Sequence, residues 1–573
     1  MSIHYASRLA LTLMLLPSFV AAELTITGVE PELERNIRVY VALADEPCDA
    51  GEWLVRRRYR VMQKEARKAI EPFGFYEPDI SSTLTLGETC WQATLTVDPG
   101  EPVRLHEVDI AIHGAAATDA AFDNLRQSAS LTPGAPLRHA EYDRLKRALQ
   151  VRAADRGYVD AVFAESRLDI WPERGQADIT LHLESGPRYR VGEVVQEQTF
   201  LEPSIVSAYI DIETGAYYDS QDLARAYRDL SNSGYFGRIE LVPDVGNARD
   251  GQIPIRVSLQ PANRIEYTIG VGASTDMGPR FRLGFRNNRI NAKGNRFRAD
   301  LGLSPVLQGL TAEFRRPLTD PRSDWMSYTG AVSREATDSY DNDTARLGLR
   351  RTKRLSTSWI RTLSLDVSYE SFTIGTESND SLLVLPAIGF DHKYADKDLY
   401  PNRGRRVGAE FRGTDEYLGS NTSFVQATAW ARWIRAVGPR GRLLARGMIG
   451  ITARSELNEL PPSVRFFAGG DESVRGYDLD SLGPKDVDGN VIGGDNLLTA
   501  SIEYERLLKG RFYGAVFVDA GNAFDGVKIN PEVGTGLGLI WRSPVGPIKL
   551  YLAYPVTDDD PGVRVHLRLG ADL

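Results

Sequence analysis

Ile265-Glu266-Tyr267-Thr268-Ile269-Gly270-Val271-Gly272 is the stretch on which the fold turns. Apolar side chains fall on every second residue, and polar residues or glycines fill the places between, which is the period of a strand with two unlike faces. The same alternation sets Leu498, Ala500, Ile502 and Tyr504 against Thr499, Ser501, Glu503 and Glu505. Near the end it sets Val563, Val565, Leu567 and Leu569 against Arg564, His566, Arg568 and Gly570. From residue 263 onward sixteen candidate strands can be counted and no helical period, which predicts a 16-stranded antiparallel barrel over 263–573. An even number of strands returns the chain to the side it started from. Alternation alone would equally suit a soluble sandwich whose apolar faces meet in a core. The strand number, the missing helices and an export signal favour a barrel in lipid.

That signal is read over residues 1–22. Arg8 supplies the positive start, Leu9 to Val20 a short apolar stretch, and Val20-Ala21-Ala22 the small residues of a cleavage site. No run approaches the length of about 20 apolar residues that a membrane helix needs.

Residues 23–262 have a different rhythm. Gly74-Phe75, Gly157-Tyr158 and Gly234-Tyr235 recur at a spacing of about 80 residues, which marks a small domain used three times. Each pair follows an amphipathic helix: Val55, Tyr59, Met62, Ala66, Ala69 and Phe73 in the first, Tyr142, Leu145, Leu149 and Ala153 in the second, Leu223, Tyr227 and Leu230 in the third. A glycine there can end the helix in the left-handed conformation while the aromatic returns to the core. Strands follow at Trp91 to Val97, Asp178 to Leu183 and Ile253 to Leu259, so the expected unit is strand, helix, helix, strand, strand. The units are placed at 23–101, 102–186 and 187–262.

The formal charge of -9 gives no support to nucleic-acid binding. Arg56-Arg57-Arg58 is interrupted by Tyr59 and suits a solvated helix face. Cys48 and Cys90 are the only cysteines. In an oxidising periplasm they are expected to pair, contributing on the order of 3 to 4 kcal/mol if unstrained; two unpaired buried thiols are the alternative. There is no GxSxG elbow, HExxH pair or Walker-type loop, and the histidines have no metal-ligand spacing, so no enzyme, cofactor or metal is expected. Gly534, Gly536 and Gly538 mimic a nucleotide loop, but their alternation suits one strand face beside a packed neighbour. Asp486-Val487-Asp488-Gly489-Asn490 lacks the distal glutamate of a calcium loop and suits a turn.

Strand parity puts the longest insertion, about Ser455 to Asp495, outside the cell between the eleventh and twelfth barrel strands. Tight links at Lys509-Gly510 and Pro544-Val545-Gly546 fall on the periplasmic side. Inside the insertion stands Gly469-Gly470-Asp471-Glu472-Ser473-Val474-Arg475-Gly476-Tyr477. It resembles the signature loop of the outer-membrane assembly superfamily of BamA, TamA and the two-partner secretion transporters. Phe517-Val518-Asp519-Ala520-Gly521-Asn522, Trp541 through Pro547, and Asp398 through Pro401 to Gly404 carry the same resemblance, in the same order. The repeats and their Gly-Pro turns, Pro99-Gly100-Glu101-Pro102 and Gly186-Pro187, resemble polypeptide-transport-associated (POTRA) domains.

The resemblance implies that the loop folds back into the barrel and that Arg475 meets Asp519, with Gly521 beside it. Gly476 would allow a close turn and Tyr477 would pack on the inner wall. The bland alternative is a mobile outer loop with a solvated arginine. Three POTRA units favour the TamA branch, since BamA usually carries five and two-partner transporters two with a plug. The ending Leu567 to Leu573 also looks like that branch and departs from the terminal aromatic of many barrels. The resemblance further implies the outer-membrane part of a translocation and assembly module, with periplasmic POTRA domains, outer-membrane clients such as autotransporters, the inner-membrane-anchored partner TamB, and a role in lipid traffic. A two-partner-type secretion pore and a passive porin are the competing readings. The barrel seam is expected to be weak, because Gly270, Gly272 and Gly570 interrupt side-chain packing in the first and last strands.

Overall fold

The computed structural model describes residues 23–87, 90–127, 130–397, 400–454, 459–544, 546–558 and 562–569. The expected export signal and Gly570 lie outside them, as do Asp398 and Val545. Two compact units result: one runs to Val194 with 213–223 and 243–255, the other holds 195–212, 224–242 and everything from Arg256 onward.

In the first unit β1 (Glu23–Thr27) pairs in parallel with β3 (Trp91–Asp98), and β2 (Asp79–Leu86) pairs antiparallel on the other side. Helices α1 (Pro31–Tyr40) and α2 (Glu52–Ile70) stand between β1 and β2 in sequence. Their apolar stripes, Ile37, Val55, Met62, Ala66 and Ala69, meet Trp91, Ala93, Leu95 and Val97, the alternate residues of β3. Cys48 and Cys90 are bonded here, with Cα atoms 4.5 Å apart. The pattern repeats in β4 (Arg104–His113), α3 (Ala120–Gln127), α4 (His139–Asp155), β5 (Val162–Trp171) and β6 (Gln176–Glu184), with sheet order β4-β6-β5. It occurs a third time in β7 (Arg190–Glu197), α5 (Pro203–Ile210), α6 (Ser220–Ser233), β8 (Phe236–Pro243) and β9 (Gln252–Pro261), ordered β7-β9-β8. The repeated Gly74, Gly157 and Gly234 all have positive φ, 94°, 83° and 73°, as the ends of these helices require.

The second unit contains sixteen strands: β10 (Ile265–Ser274), β11 (Gly278–Asn287), β12 (Arg296–Leu303), β13 (Leu307–Pro317), β14 (Asp324–Ala336), β15 (Tyr340–Arg354), β16 (Trp359–Ile374), β17 (Glu377–Ala395), β18 (Arg403–Thr414), β19 (Phe424–Val437), β20 (Gly441–Arg454), β21 (Asn496–Lys509), β22 (Phe512–Phe524), β23 (Glu532–Ser543), β24 (Gly546–Pro555) and β25 (Arg564–Leu569). Each pairs with the next, from β10 to β25 in chain order, and the cylinder is nearly closed. One set of alternate residues, such as Leu347, Ile502, Val518 and Leu552, is exposed on the outside, and the other faces the lumen. An apolar outer surface and a charged interior suit lipid outside and polar groups within. Among the described residues no ladder joins β10 to β25. Their backbones meet where Thr275 N–H donates to the Leu567 carbonyl at 3.4 Å and Leu567 N–H donates to Thr275 Oγ1 at 3.2 Å.

A loop docked in the barrel beside an unzipped seam

The segment between β20 and β21 folds into the lumen rather than standing in solvent. Val474, Arg475 and Tyr477 are buried, Arg475 to 4 % exposure. Its guanidinium clasps Asp519 of β22 with two hydrogen bonds, Nε to Oδ2 at 2.7 Å and Nη2 to Oδ1 at 2.8 Å. The Arg475 backbone N–H adds a third to Oδ2 at 3.1 Å. A planar fork matched to a carboxylate is the strongest form of such a pair. Nη1 reaches Glu503 Oε2 on β21 at 2.6 Å, and the charged plane lies 3.5 Å from the Phe517 ring centroid and 4.6 Å from that of Tyr551. One buried cation is thus compensated by two carboxylates and two ring faces, which offsets the cost of taking it out of water.

The backbone can come this close because the wall has been hollowed. At Gly534 of β23 an added Cβ would lie 1.8 Å from the Arg475 carbonyl oxygen. Gly536 and Gly538 continue the groove: added Cβ atoms would strike Phe517 and Tyr551, the two rings under the guanidinium. Gly476 has φ +103°, and an added Cβ would lie 3.1 Å from the Pro555 backbone nitrogen, so a side chain there would be both strained and crowded. Tyr477 donates to Glu532 Oε2 at 3.1 Å. Gly521 continues the lumenal row from Asp519, its Cβ position blocked by the Leu498 carbonyl at 2.4 Å.

Sequence reasoning missed the second half of the site, which lies at the seam. All three lumenal residues of β25 are held by acids of the loop: Arg564 by Asp478, His566 by Asp471 with Nδ1–Oδ1 at 2.5 Å, and Arg568 by Glu472 at 2.5 Å. Gly476 N–H donates to His566 Nε2 at 2.9 Å, so that nitrogen accepts and the ring proton sits on Nδ1, facing Asp471. Across the seam, Asp471 N–H donates to Asp276, at the β10–β11 turn, at 2.6 Å. Burial, and then the Asp471 charge, push the Asp276 carboxyl up to about 6. Asp276, Asp471 and His566 have ligand atoms within 4.8 Å of one another, but both imidazole nitrogens are engaged by the loop, so they form a clasp from protein groups alone. The lumenal side of His566 and Arg568 was legible from the alternation; their partners in a loop about 90 residues earlier were not.

The predicted seam glycines occupy a different place from the clasp. Gly270 and Gly272 lie opposite Arg282 and Arg280 in the β10/β11 ladder. The contact with the last strand is made beyond them, by Thr275. The Asp486 segment is a turn in which Asp486 Oδ1 accepts from Asp488 and Asn490 N–H groups.

A nearly closed lumenal-loop barrel with a seam at its chain ends defines a class of outer-membrane protein. The Omp85 superfamily domain matches residues 266–572, and the first domain of the TamA-type POTRA series matches residues 23–99. Similar proteins include the outer membrane protein assembly factor BamA of Nitratidesulfovibrio vulgaris, 23% identical over 71% of this chain and 54% of that one. BamA of Neisseria meningitidis serogroup B is 22% identical over 90% of this chain and 74% of its own. The chain therefore spans about half the length of the first of these relatives and three quarters of the second. The crystal structure of Haemophilus ducreyi BamA lacking POTRA domains 1–3 superposes with TM-score 0.69 over 81% of this chain and 98% of that one, at 16% identity, which shows a shared fold. The chain belongs to the Omp85 superfamily. It is an outer-membrane β-barrel protein with periplasmic POTRA domains.

Proposed function

We propose that this protein is a TamA-type assembly factor that helps outer-membrane proteins, autotransporters among them, insert into or cross the membrane by offering the open edge of β10 to a client strand. The observation that carries the proposal is the unzipped seam. Tyr267, Ile269 and Val271 on β10 are 72%, 71% and 84% exposed, more than the outward residues of fully paired strands such as Val516 and Val518 at 50% and 52%. An unpaired edge in lipid carries N–H and C=O groups that water cannot satisfy, so a client strand that adds there relieves both edges at once. The docked loop makes such opening feasible, because the lumenal side chains of β25 bond to the loop rather than to β10.

The match of residues 23–99 to the first TamA POTRA domain supports the TamA branch over BamA. On that reading the first POTRA domain meets TamB, and lipid traffic is a second task. A passive porin is disfavoured by a lumen occupied by residues 459–495, and a two-partner secretion pore by the third POTRA repeat. The test is a disulfide between Thr275→Cys and Leu567→Cys in the full chain, with autotransporter assembly followed in vesicles. Oxidation should stop assembly and reduction restore it. Assembly that continues through a quantitatively locked seam would refute the mechanism.

A further inference from the structure

A second feature of the barrel lies on its outer face, at the periplasmic ends of β17, β18 and β19, well away from the seam. In the β18/β19 ladder Arg403 stands directly opposite Arg435, and Arg405 opposite Trp433; in the β17/β18 ladder Tyr394 stands opposite Arg405. All five belong to the outward set, continuing the row Phe411, Ala409, Val407 on β18, and all five are exposed. Like charges directly across a ladder repel, and an anion between them would relieve the repulsion. Among the described residues none of the three guanidiniums has a carboxylate partner. The nearby Asp396 accepts at Oδ1 from the backbone N–H groups of Asn402 and Arg403.

An independent sign comes from His392, next to Tyr394 on the same face of β17. It is 4% exposed, packed edge-on to Trp359 with ring centroids 5.0 Å apart. Arg405 can only donate, so His392 Nε2, 3.5 Å from its Nη2, accepts. The ring proton then sits on Nδ1, a buried donor without a partner. Along this outward face, and among the described residues, the Arg403 and Arg435 guanidiniums and the His392 Nδ1–H have no acceptor, and Arg405 has only His392 Nε2.

The depth of the cluster identifies what supplies it. Trp359, Tyr394 and Trp433 lie near the periplasmic turns and face outward, as the aromatic girdle of a barrel does at the lipid interface. Arg405 is level with that girdle, and Arg403 and Arg435 lie one pleat beyond it towards the periplasm, at headgroup height. Guanidinium groups match phosphate oxygens bidentately. We infer that Arg403, Arg405, Arg435 and His392 form a binding site for the phosphodiester headgroup of an anionic phospholipid of the inner leaflet, with Tyr394 and Trp433 flanking its glycerol region. The inference needs only the barrel and its orientation, and stands whether or not the seam admits clients.

The full-length protein can be reconstituted in vesicles of equal parts phosphatidylethanolamine and phosphatidylglycerol, extracted in mild detergent, and its retained lipid counted by native mass spectrometry. The wild type should retain phosphatidylglycerol about fivefold over phosphatidylethanolamine, and Arg403→Gln/Arg405→Gln/Arg435→Gln should bring the ratio near one. Arg350→Gln/Arg354→Gln, which removes two charges from the lumenal side of the same rim, should leave it unchanged. No preference in the wild type, a preference that survives the triple substitution, or equal loss in the lumenal control would overturn the proposal. Displacement of the retained lipid by equimolar inorganic phosphate would do so too, since it would make the site one for a free anion. Should the triple variant fail to fold, Arg435→Gln alone gives the same reading: the preference falls by about half, or the assignment is wrong.

Discussion

The two sides of the barrel interior are built on opposite plans. Around β21–β24 the wall is thick: Arg475, Asp519, Glu503, Phe517 and Tyr551 are buried against one another, and Arg442, Glu505 and Lys549 extend the charge network behind them. Along β10–β13 the lumenal face is thin, with Gly270, Gly272, Gly284, Gly302 and Gly309 around the exposed Arg282 and its half-buried partner Asp300. The first and last barrel strands meet at the border of these regions. There β25 leans on the thick side, through Arg564, His566 and Arg568, and barely touches the thin one. A barrel can therefore have a stable body and a separable seam at once, because the last strand is held by its backbone ladder to β24 and by its side chains to a loop, with no ladder to β10 among the described residues.

The largest way to break this contrast is Arg475→Ala. It removes the bidentate partner of the fully buried Asp519, leaving only Arg446 at 3.6 Å, and should cost about 3 kcal/mol of loop docking. Limited trypsin digestion should then cut within residues 459–495, which resist it in the parent. Next comes Gly534→Val, which leaves every charge in place but fills the groove under the Arg475 carbonyl. The expected loss is about 1–3 kcal/mol, read as a lower thermal midpoint with the barrel still folded. A midpoint equal to the parent's would mean the loop does not need the groove.

His566→Gln sharpens the comparison at the seam itself. It removes the geometry that accepts from Gly476 and donates to Asp471 together, and about 1–2 kcal/mol of clasp should go with it. Amide exchange at Leu567 and Thr275 should quicken while that of β22 stays unchanged. The smallest effect concerns pH. Burial, and then Glu335, push the Asp480 carboxyl of the loop up to about 6. The docked loop therefore keeps a proton that the free loop gives up nearer the ordinary value, so docking strengthens as pH falls through 6 and weakens above it. Between about pH 7.5 and 5.5 the gain should be on the order of 1 kcal/mol in protease protection. Asp480→Asn, which tolerates the residue's φ of +54°, should reduce the dependence to the share carried by Asp276, which is raised in the same way, and hold the loop more firmly at neutral pH.

Much of this architecture was legible in the sequence, for reasons local to each strand or helix. A two-residue period places Asp519, Glu503 and His566 on the inner face whatever their partners are, because a pleated strand has no other way to orient its side chains. Helix ends likewise announced themselves through Gly74, Gly157 and Gly234. The glycine row of β23 was readable as space for a neighbour, though not as space for the Arg475 backbone. What escaped was every contact whose two halves are separated by long stretches of chain and joined by no pattern: Asp276 with Asp471, the loop acids with β25, the guanidinium pair Arg403 and Arg435.

The amino-acid order by itself thus determined the elements, their faces and the number of strands, since these follow from dihedral preference and periodicity along a few neighbouring residues. Only the tertiary structure decided which strands lie side by side at the closure, and so how loosely the barrel is shut. Register and loop docking are settled by competition among distant partners for the same buried donors and acceptors, and no short window of sequence contains both competitors.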